Sequence, residues 1–180
     1  MAEAAVNTAV VLPDGVRVPV RPIAADDDLA LQRLYTHLTP QTIYLRFFRM
    51  IASPTLDQLH FLVDMDGYAR FALVAFDPDE PTEIIGVVRY GRDKDDPTTA
   101  EYAGLVRDDW QGRALGFALT RELVAIARRE GITMLYALML AENIAMLRLL
   151  KKLGIPMHTS WHEGTVRAAL DLTALAPVAV

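Results

Sequence analysis

The sequence QGRALG, Gln111 to Gly116, lies where a predicted strand becomes a predicted helix. The strand covers positions 100–107 and the helix covers about 115–130. In the helix, leucine and isoleucine recur at helical spacing, and Arg128-Arg129 followed by Gly131 form a stop signal. Regular structure is therefore predicted on both sides of the loop.

The loop has the features of an anion-binding site. A helix N-terminus carries unpaired N–H groups and a partial positive charge, so it binds phosphate readily. Gly112 and Gly116 let the backbone approach an anion without a Cβ in the way, and Arg113 can add charge-assisted hydrogen bonds. The dinucleotide pattern G-x-G-x-x-G is absent, as is the phosphate-loop ending G-K-[ST]. An ordinary glycine-containing turn explains the loop equally well.

Helices and strands are predicted on both sides of this segment. Helix start signals occur at Asp26-Asp27-Asp28, Thr39-Pro40 and Ser53-Pro54-Thr55. Apolar runs and alternation predict strands at 16–21, 71–76, 83–90, 134–140 and 166–172, and helical periodicity predicts a helix at 143–153. The 180 residues fit one domain, and no linker divides them.

The segment 100–106 (AEYAGLV), Trp110 and the QGRALG loop together resemble motif A of the GNAT acyltransferase superfamily. Glu142-Asn143, Met146-Leu147 and Leu153-Gly154-Ile155 resemble its motif B. The resemblance implies an α/β fold with a mixed, mostly antiparallel sheet of about six or seven strands and helices on both faces. It implies an N-terminal extension at 1–15, an acetyltransferase domain at 16–173 and a C-terminal tail at 174–180. Ala114 departs from the family, which usually has glycine there, and adds a methyl group near the expected pyrophosphate.

The same resemblance implies a reaction and a binding site. The reaction is transfer of an acetyl group from acetyl-coenzyme A (acetyl-CoA) to a primary amine. The expected CoA contacts are Leu105, Val106, Gln111, Gly112, Arg113, Ala114, Leu115, Gly116 and Asn143. Leu105 and Val106 are implied to splay from the neighbouring strand and to offer backbone groups to the thioester, while Asn143 can also be a simple helix N-cap.

The upstream segments 38–42 (LTPQT) and 44–48 (YLRFF) are similar to the start of the acetyltransferase domain in bacterial protein lysine acetyltransferases. This similarity implies a protein lysine as the acceptor. A packed amphipathic helix explains the segment without any such role. The chain has the length of a catalytic domain alone, so we expect no accompanying regulatory domain.

Glu101 is the candidate general base. A free lysine has a pKa of about 10.4 and attacks a thioester only when neutral, so a carboxylate must remove its proton. Glu101 lies on the strand entering the loop between small and apolar residues, and the resembling protein acetyltransferases use a glutamate here. The alternative is a strand-surface glutamate. Small-molecule members of the superfamily carry a tyrosine acid where this chain has Leu150, so the leaving thiolate, with a pKa near 8.5, is expected to depart unaided or with another donor.

Composition limits the remaining classes. The net charge of −5 argues against nucleic acid and anionic membranes as partners, and the lack of cysteine excludes thiolate catalysis. The four histidines lack metal-ligand spacing, so no metal is expected. No signal peptide or membrane span is visible, which predicts a cytoplasmic protein. A small-amine acetyltransferase, a silent acyl-CoA-binding module and a structural protein that binds no CoA are the rival functions, and a homodimer is left open.

Overall fold

A computed structural model of the chain describes residues 8–49 and 54–175. Within these ranges one eight-stranded sheet carries five α-helices, and its strand order is β1-β2-β3-β4-β5-β6-β8-β7. The strands are β1 Thr8–Val11, β2 Arg17–Pro22, β3 Arg70–Phe76, β4 Ile84–Arg92, β5 Thr99–Val106, β6 Met134–Leu140, β7 Met157–His162 and β8 Thr165–Asp171. The helices are α1 Asp28–Thr36, α2 Pro40–Phe47, α3 Leu56–Val63, α4 Leu115–Arg129 and α5 Ile144–Lys152.

The sheet is mixed and mostly antiparallel, as predicted. Among the described strands only β5 and β6 pair in parallel, and α4 makes the crossover between them. The predicted count of six or seven strands is corrected to eight, because β1 and β7 were not foreseen. Every residue of β7 is exposed or only half-buried, so the strand lacks the apolar alternation that marks a half-buried strand.

The two faces of the sheet bury separate cores. Alternate residues of β5 show the division: Tyr102 packs with α4 and α5, whereas Leu105 packs with α1, α2 and α3. Helices therefore cover both faces, as predicted. Because side chains alternate along a strand, Glu101 and Ala103 lie on the same face as Leu105, which is the face of α1, α2 and α3.

The predicted helix starts are accurate where the structure describes them. Thr39 caps α2 by accepting a hydrogen bond from the Thr42 amide, and Thr55 caps α3 in the same way through Gln58. Ser53, the first residue of the predicted α3 signal, lies outside the described residues. Of the predicted N-terminal extension, residues 8–11 form β1 and pair with β2, while residues 1–7 and 176–180 lie outside the described part.

Candidate active site

The main cavity opens where β5 and β6 part. Their parallel ladder ends at the pair Tyr102 and Ala137, although β5 continues to Val106 and β6 to Leu140. The resulting gap is lined from both faces of the sheet and belongs to a cavity of about 680 Å³. A ligand can therefore pass through the sheet at this point, with its two ends on opposite faces.

Nine of the ten predicted site residues line this cavity. They are Glu101, Leu105, Val106, Gln111, Gly112, Ala114, Leu115, Gly116 and Asn143. Leu105 and Val106 lie beyond the last β5–β6 pair, where the strands have separated. Asn143 caps α5 by accepting a hydrogen bond from the Met146 amide at 3.1 Å, so its N-cap role and its place in the cavity wall coexist.

Arg113 is the predicted residue whose side chain is turned elsewhere. Its Nη2 donates to Asp14 Oδ2 at 2.8 Å, and its guanidinium lies 4.1 Å from the centre of the Trp110 ring. The ion pair, through hydrogen bonding, lowers the pKa of the Asp14 carboxyl. The guanidinium is thus held against the β1–β2 turn in this structure, and its hydrogen bonds to an anion stay a prediction.

Ala114 occupies a backbone position that favours glycine. Its φ is +67°, in the left-handed region, and it is the N-cap of α4. Gly112 has a φ of +75° with open space around its missing Cβ, so conformation and not crowding requires glycine there. The loop therefore turns into α4 through two left-handed residues, and one of them carries a methyl group.

We expect Ala114→Gly to raise the free energy of unfolding by about 0.5–1 kcal/mol. The left-handed conformation costs an alanine about 1–2 kcal/mol, and the extra freedom of glycine in the unfolded chain offsets part of the gain. Thermal denaturation measures the change. The matched control is Ala125→Gly in the middle of α4, which should lower stability by about 1 kcal/mol. Equal losses from both substitutions would show that Ala114 is not strained.

Hydrogen bonds hold the loop and α2 beside the end of β5. Gln111 Nε2 donates to the Val106 carbonyl at 3.0 Å, so this side chain braces the loop. Asp108 Oδ1 accepts from the hydroxyls of Thr39 and Thr42 at 3.0 and 2.7 Å, and its Oδ2 accepts from the Thr39 amide at 2.8 Å. These bonds fasten the first turn of α2 to the loop that follows β5.

Glu101 lies at the gap between β5 and β6, on the face of the sheet opposite α4 and α5. In the ladders of the sheet it lies between Gly91 of β4 and Tyr136 of β6. Its side chain is exposed and lines the cavity, so it is not enclosed in the apolar setting that its sequence neighbours predicted. Burial lowers the pKa of the Arg46 guanidinium of α2, and the negative charge of Glu101 offsets part of that lowering.

Leu150 does not face the cavity. It is fully buried in the core between α5 and the sheet. The position of the usual tyrosine acid is therefore apolar in this chain, and the described part of the cavity wall contains one tyrosine, Tyr102.

Tyr102 is part of a buried hydrogen-bond chain. Its hydroxyl lies 2.8 Å from Thr120 Oγ1, and Thr120 donates its only hydroxyl proton to the Gly116 carbonyl at 2.6 Å. Tyr102 must therefore be the donor to Thr120. Burial raises the pKa of Tyr102 to about 12, so the phenol is neutral at physiological pH. The chain connects β5 with the first turn of α4.

Three basic residues in the cavity wall were missed by sequence reasoning. Arg148 and Lys152 line the cavity from α5, and Arg46 lines it from α2. Lys152 Nζ also lies 4.8 Å from the centre of the Phe117 ring. The sequence contained a signal for two of them. Arg148 and Lys152 are four residues apart, so they lie on one face of the helix that follows the predicted Asn143.

Within residues 8–49 and 54–175, no three His, Cys, Asp or Glu side chains are grouped so as to hold a metal ion. No helix in the same ranges has the length and apolar character needed to cross a membrane.

Comparison with known proteins gives one consistent result. Residues 17–156 match the family described as acetyltransferase (GNAT) domain. The chain is 34% identical over 146 residues to acetyltransferase PA5475 of Pseudomonas aeruginosa, covering 79% of this chain and 77% of that protein. It is 30% identical over 139 residues to acetyltransferase Pat of Mycolicibacterium smegmatis, covering 75% of this chain and 40% of Pat. The crystal structure of the GNAT domain of S. lividans PAT superposes with a TM-score of 0.84 at 32% identity, covering 91% of this chain and 96% of that one.

Proposed function

Because this chain belongs to the GNAT acetyltransferase family, we propose that it transfers the acetyl group of acetyl-CoA to a protein lysine, with Glu101 as the general base. The observation that carries the proposal is the cavity that passes through the sheet with a carboxylate at one end. A donor bound on the α4 and α5 face and an acceptor arriving on the α2 face meet at the gap between β5 and β6.

Acetyl-CoA is the co-substrate of this acetyltransferase, and we assign its binding to the α4 and α5 face. The unpaired N–H groups of the first turn of α4 suit the pyrophosphate, and Gly112 leaves the approach open. Arg148 and Lys152 supply positive charge to the same part of the cavity, the role first given to Arg113. The Asn143 side chain and the separated backbone of Leu105 and Val106 suit the pantetheine arm.

The reaction follows from this arrangement. Glu101 takes a proton from the lysine ammonium, and the neutral nitrogen attacks the thioester carbonyl. A backbone N–H of β5 beyond its last pair with β6 stabilises the oxyanion, the carbon–sulfur bond then breaks, and the second proton of the attacking nitrogen passes to the departing thiolate. The thiolate leaves without a tyrosine from α5, since Leu150 is buried in the core. Its solution pKa of about 8.5 makes it a tolerable leaving group.

A protein acceptor suits the exposure of the α2 side. Glu101 is exposed, and beside it Phe48 and Leu138 in the cavity wall are 40% and 43% exposed. Sites for small molecules usually enclose most of the ligand surface, whereas an open carboxylate flanked by exposed apolar groups fits a side chain presented by another protein. The similarity of α2 to protein lysine acetyltransferases supports the same acceptor.

The proposal is tested by incubating a cell lysate with the protein and isotopically labelled acetyl-CoA, followed by mass spectrometry of the proteins. We expect labelled acetyl groups on lysine side chains that are absent when the Glu101→Gln variant replaces the wild type. A parallel assay of CoA release uses a panel of polyamines and aminoglycosides. Turnover restricted to that panel would refute the protein acceptor, and tight acetyl-CoA binding with no transfer at all would indicate a silent binding module.

The basic residues of α5 give a separate prediction about the donor. We expect Arg148→Gln to raise the KM for acetyl-CoA by about tenfold and to leave kcat nearly unchanged, because a charge-assisted hydrogen bond to phosphate contributes to binding in the ground and transition states alike. Steady-state kinetics at two salt concentrations measures it. Arg121→Gln, an exposed arginine of α4 outside the cavity wall, is the control. Equal KM values for the two variants would contradict the assignment.

A cytoplasmic location and a metal-free reaction remain predictions, as does the division into an extension at 1–15, a domain at 16–173 and a tail at 174–180. A homodimer stays an open alternative.

A further inference from the structure

A second, small cavity lies directly behind the acceptor side of the main one. Its space of about 10 Å³ is close to what one water molecule needs. Arg46 and the backbone of Ala103, Gly104 and Leu105 separate it from the main cavity, since these residues line both. Its remaining walls are Tyr35, Leu62, Val87 and Arg89.

Two of the residues that line the small cavity are arginines. Arg89 lies opposite Ala103 in the β4–β5 ladder and is half-buried, as is Arg46. Arg89 Nη1 donates to the Leu62 carbonyl at 3.1 Å, which is its one hydrogen bond within the described ranges, and Arg46 makes none there. Burial, and then the neighbouring Arg46, lower the pKa of Arg89 to about 10. Both half-buried guanidinium groups thus keep N–H donors that no described residue uses.

Acidic groups do not neutralise this pair. Among the described residues, Glu101 is the one carboxylate whose charge affects the pKa of Arg46. The more distant charge that affects the pKa of Arg89 is another cation, Arg70, and Arg70 is itself paired with Asp64. Tyr35 adds a phenol whose pKa is raised by burial, so it is a neutral donor. The group therefore contains two cations and one carboxylate, with two or more free N–H groups. The excess positive charge and the free donors suit the binding of one further carboxylate.

The acyl chain of the donor is the ligand group that can reach this position. With the thioester at the unpaired end of β5, an acyl tail that crosses the gap extends past Ala103 and Leu105 toward Arg46. An acetyl methyl group would lie against a guanidinium without satisfying it. The chain as a whole is acidic, with a net charge of −5, so its surface does not favour an acidic acceptor, whereas a donor tail is held inside the cavity.

We propose that Arg46, with the positive charge of Arg89 behind it, forms a carboxylate site for the acyl group in the wall of the main cavity, so that the protein also uses CoA thioesters of short dicarboxylic acids such as succinate. This proposal rests on the donor geometry of the proposed function. The step is balanced in the same way as acetyl transfer. Glu101 takes one proton from the acceptor ammonium, the neutral nitrogen bonds to the thioester carbon, the carbon–sulfur bond breaks, and the second nitrogen proton passes to the departing thiolate, which leaves as CoA. The distal carboxylate stays ionised and takes no part in bond exchange.

The test compares succinyl-CoA with butyryl-CoA, whose acyl chains have the same four-carbon length but end in a carboxylate and a methyl group. Calorimetry measures both dissociation constants with no acceptor present, so the result is independent of whether a protein lysine is the acceptor. We expect the wild type to bind succinyl-CoA about tenfold more tightly than butyryl-CoA, as one charge-assisted hydrogen-bonded pair would give. Arg46→Gln should bring the ratio close to one, and Arg46→Lys should restore part of it.

Arg148→Gln is the matched control, because it removes one positive charge from the other end of the same cavity. It should weaken both donors by the same factor and leave their ratio unchanged. Equal wild-type affinities for the two donors would overturn the proposal, and so would an Arg46→Gln ratio equal to that of the wild type. If the arginine pair instead binds a carboxylate of the acceptor, succinyl-CoA and butyryl-CoA bind equally well in every variant. That result would also overturn the proposal.

Discussion

Glu101→Gln is expected to slow acetyl transfer at pH 7 by about 100- to 10,000-fold, which is the usual contribution of a positioned general base. The amide keeps the size of the side chain but cannot accept the lysine proton. Acetyl-CoA affinity should stay within about twofold of wild type, because Glu101 lies on the face opposite α4 and α5 and makes no contact assigned to the cofactor. Rapid-quench kinetics for transfer and calorimetry for binding separate the two quantities.

The pH dependence sharpens this prediction. A lysine amine has a pKa of about 10.4, so raising the pH toward 10 supplies neutral nucleophile without a base. The difference between Glu101→Gln and wild type should therefore shrink between pH 7 and pH 10. Glu142→Gln, an exposed glutamate of the turn before α5, is the control and should behave as wild type. A deficit that is the same at every pH would mean that Glu101 has another role.

Gly104→Ala is expected to lower the free energy of unfolding by about 3 kcal/mol. A Cβ at this position would overlap the Tyr102 hydroxyl and lie 3.1 Å from Tyr102 Cζ, so the ring must move. The movement adds the cost of overpacking, about 1–3 kcal/mol, to the loss of a buried hydrogen bond to Thr120, about 1–3 kcal/mol. For a chain of this size the melting temperature should fall by roughly 6–12 °C, measured by thermal denaturation.

A double-mutant cycle identifies the contact responsible. In the Tyr102→Phe background the hydroxyl is gone, so Gly104→Ala should cost at least about 1 kcal/mol less than in the wild type. Tyr102→Phe alone should cost about 1 kcal/mol, because Thr120 keeps its bond to the Gly116 carbonyl. Additive costs in the double variant would show that Tyr102 is not what makes glycine necessary at this position.

Local signals in the sequence predicted much of the fold. Thr39 and Thr55 are N-caps, and a cap depends on a few consecutive residues, so both helix starts were correct. The helix α4 ends at Arg129, where the basic residues and Gly131 predicted its end. Strand β7 was missed because its pairing with β8, and not its own pattern of burial, makes it a strand.

The candidate site was predicted less completely, and Arg113 and Arg46 show why. The sequence identifies Arg113 as a cation beside an anion-binding loop, but its guanidinium binds Asp14, which is distant in the chain and arrives through the β1–β2 turn. In the sequence Arg46 is one polar residue of an amphipathic helix. Only the packing of α2 brings it beside Glu101 and Arg89. Such long-range contacts leave no mark on the local pattern.

Sequence alone was enough to identify the QGRALG loop, the helix that follows it and the family to which the chain belongs, because each depends on residues close together in the chain. The folded structure was needed to show that β5 and β6 part after Tyr102, that a cavity passes through the sheet there, and that Arg148 and Lys152, not the Arg113 side chain, line it. It also gave the physical meaning of Ala114, whose methyl group is unusual because the backbone there is left-handed. Charge and shape at a site depend on which distant segments the fold brings together, and that is decided by packing.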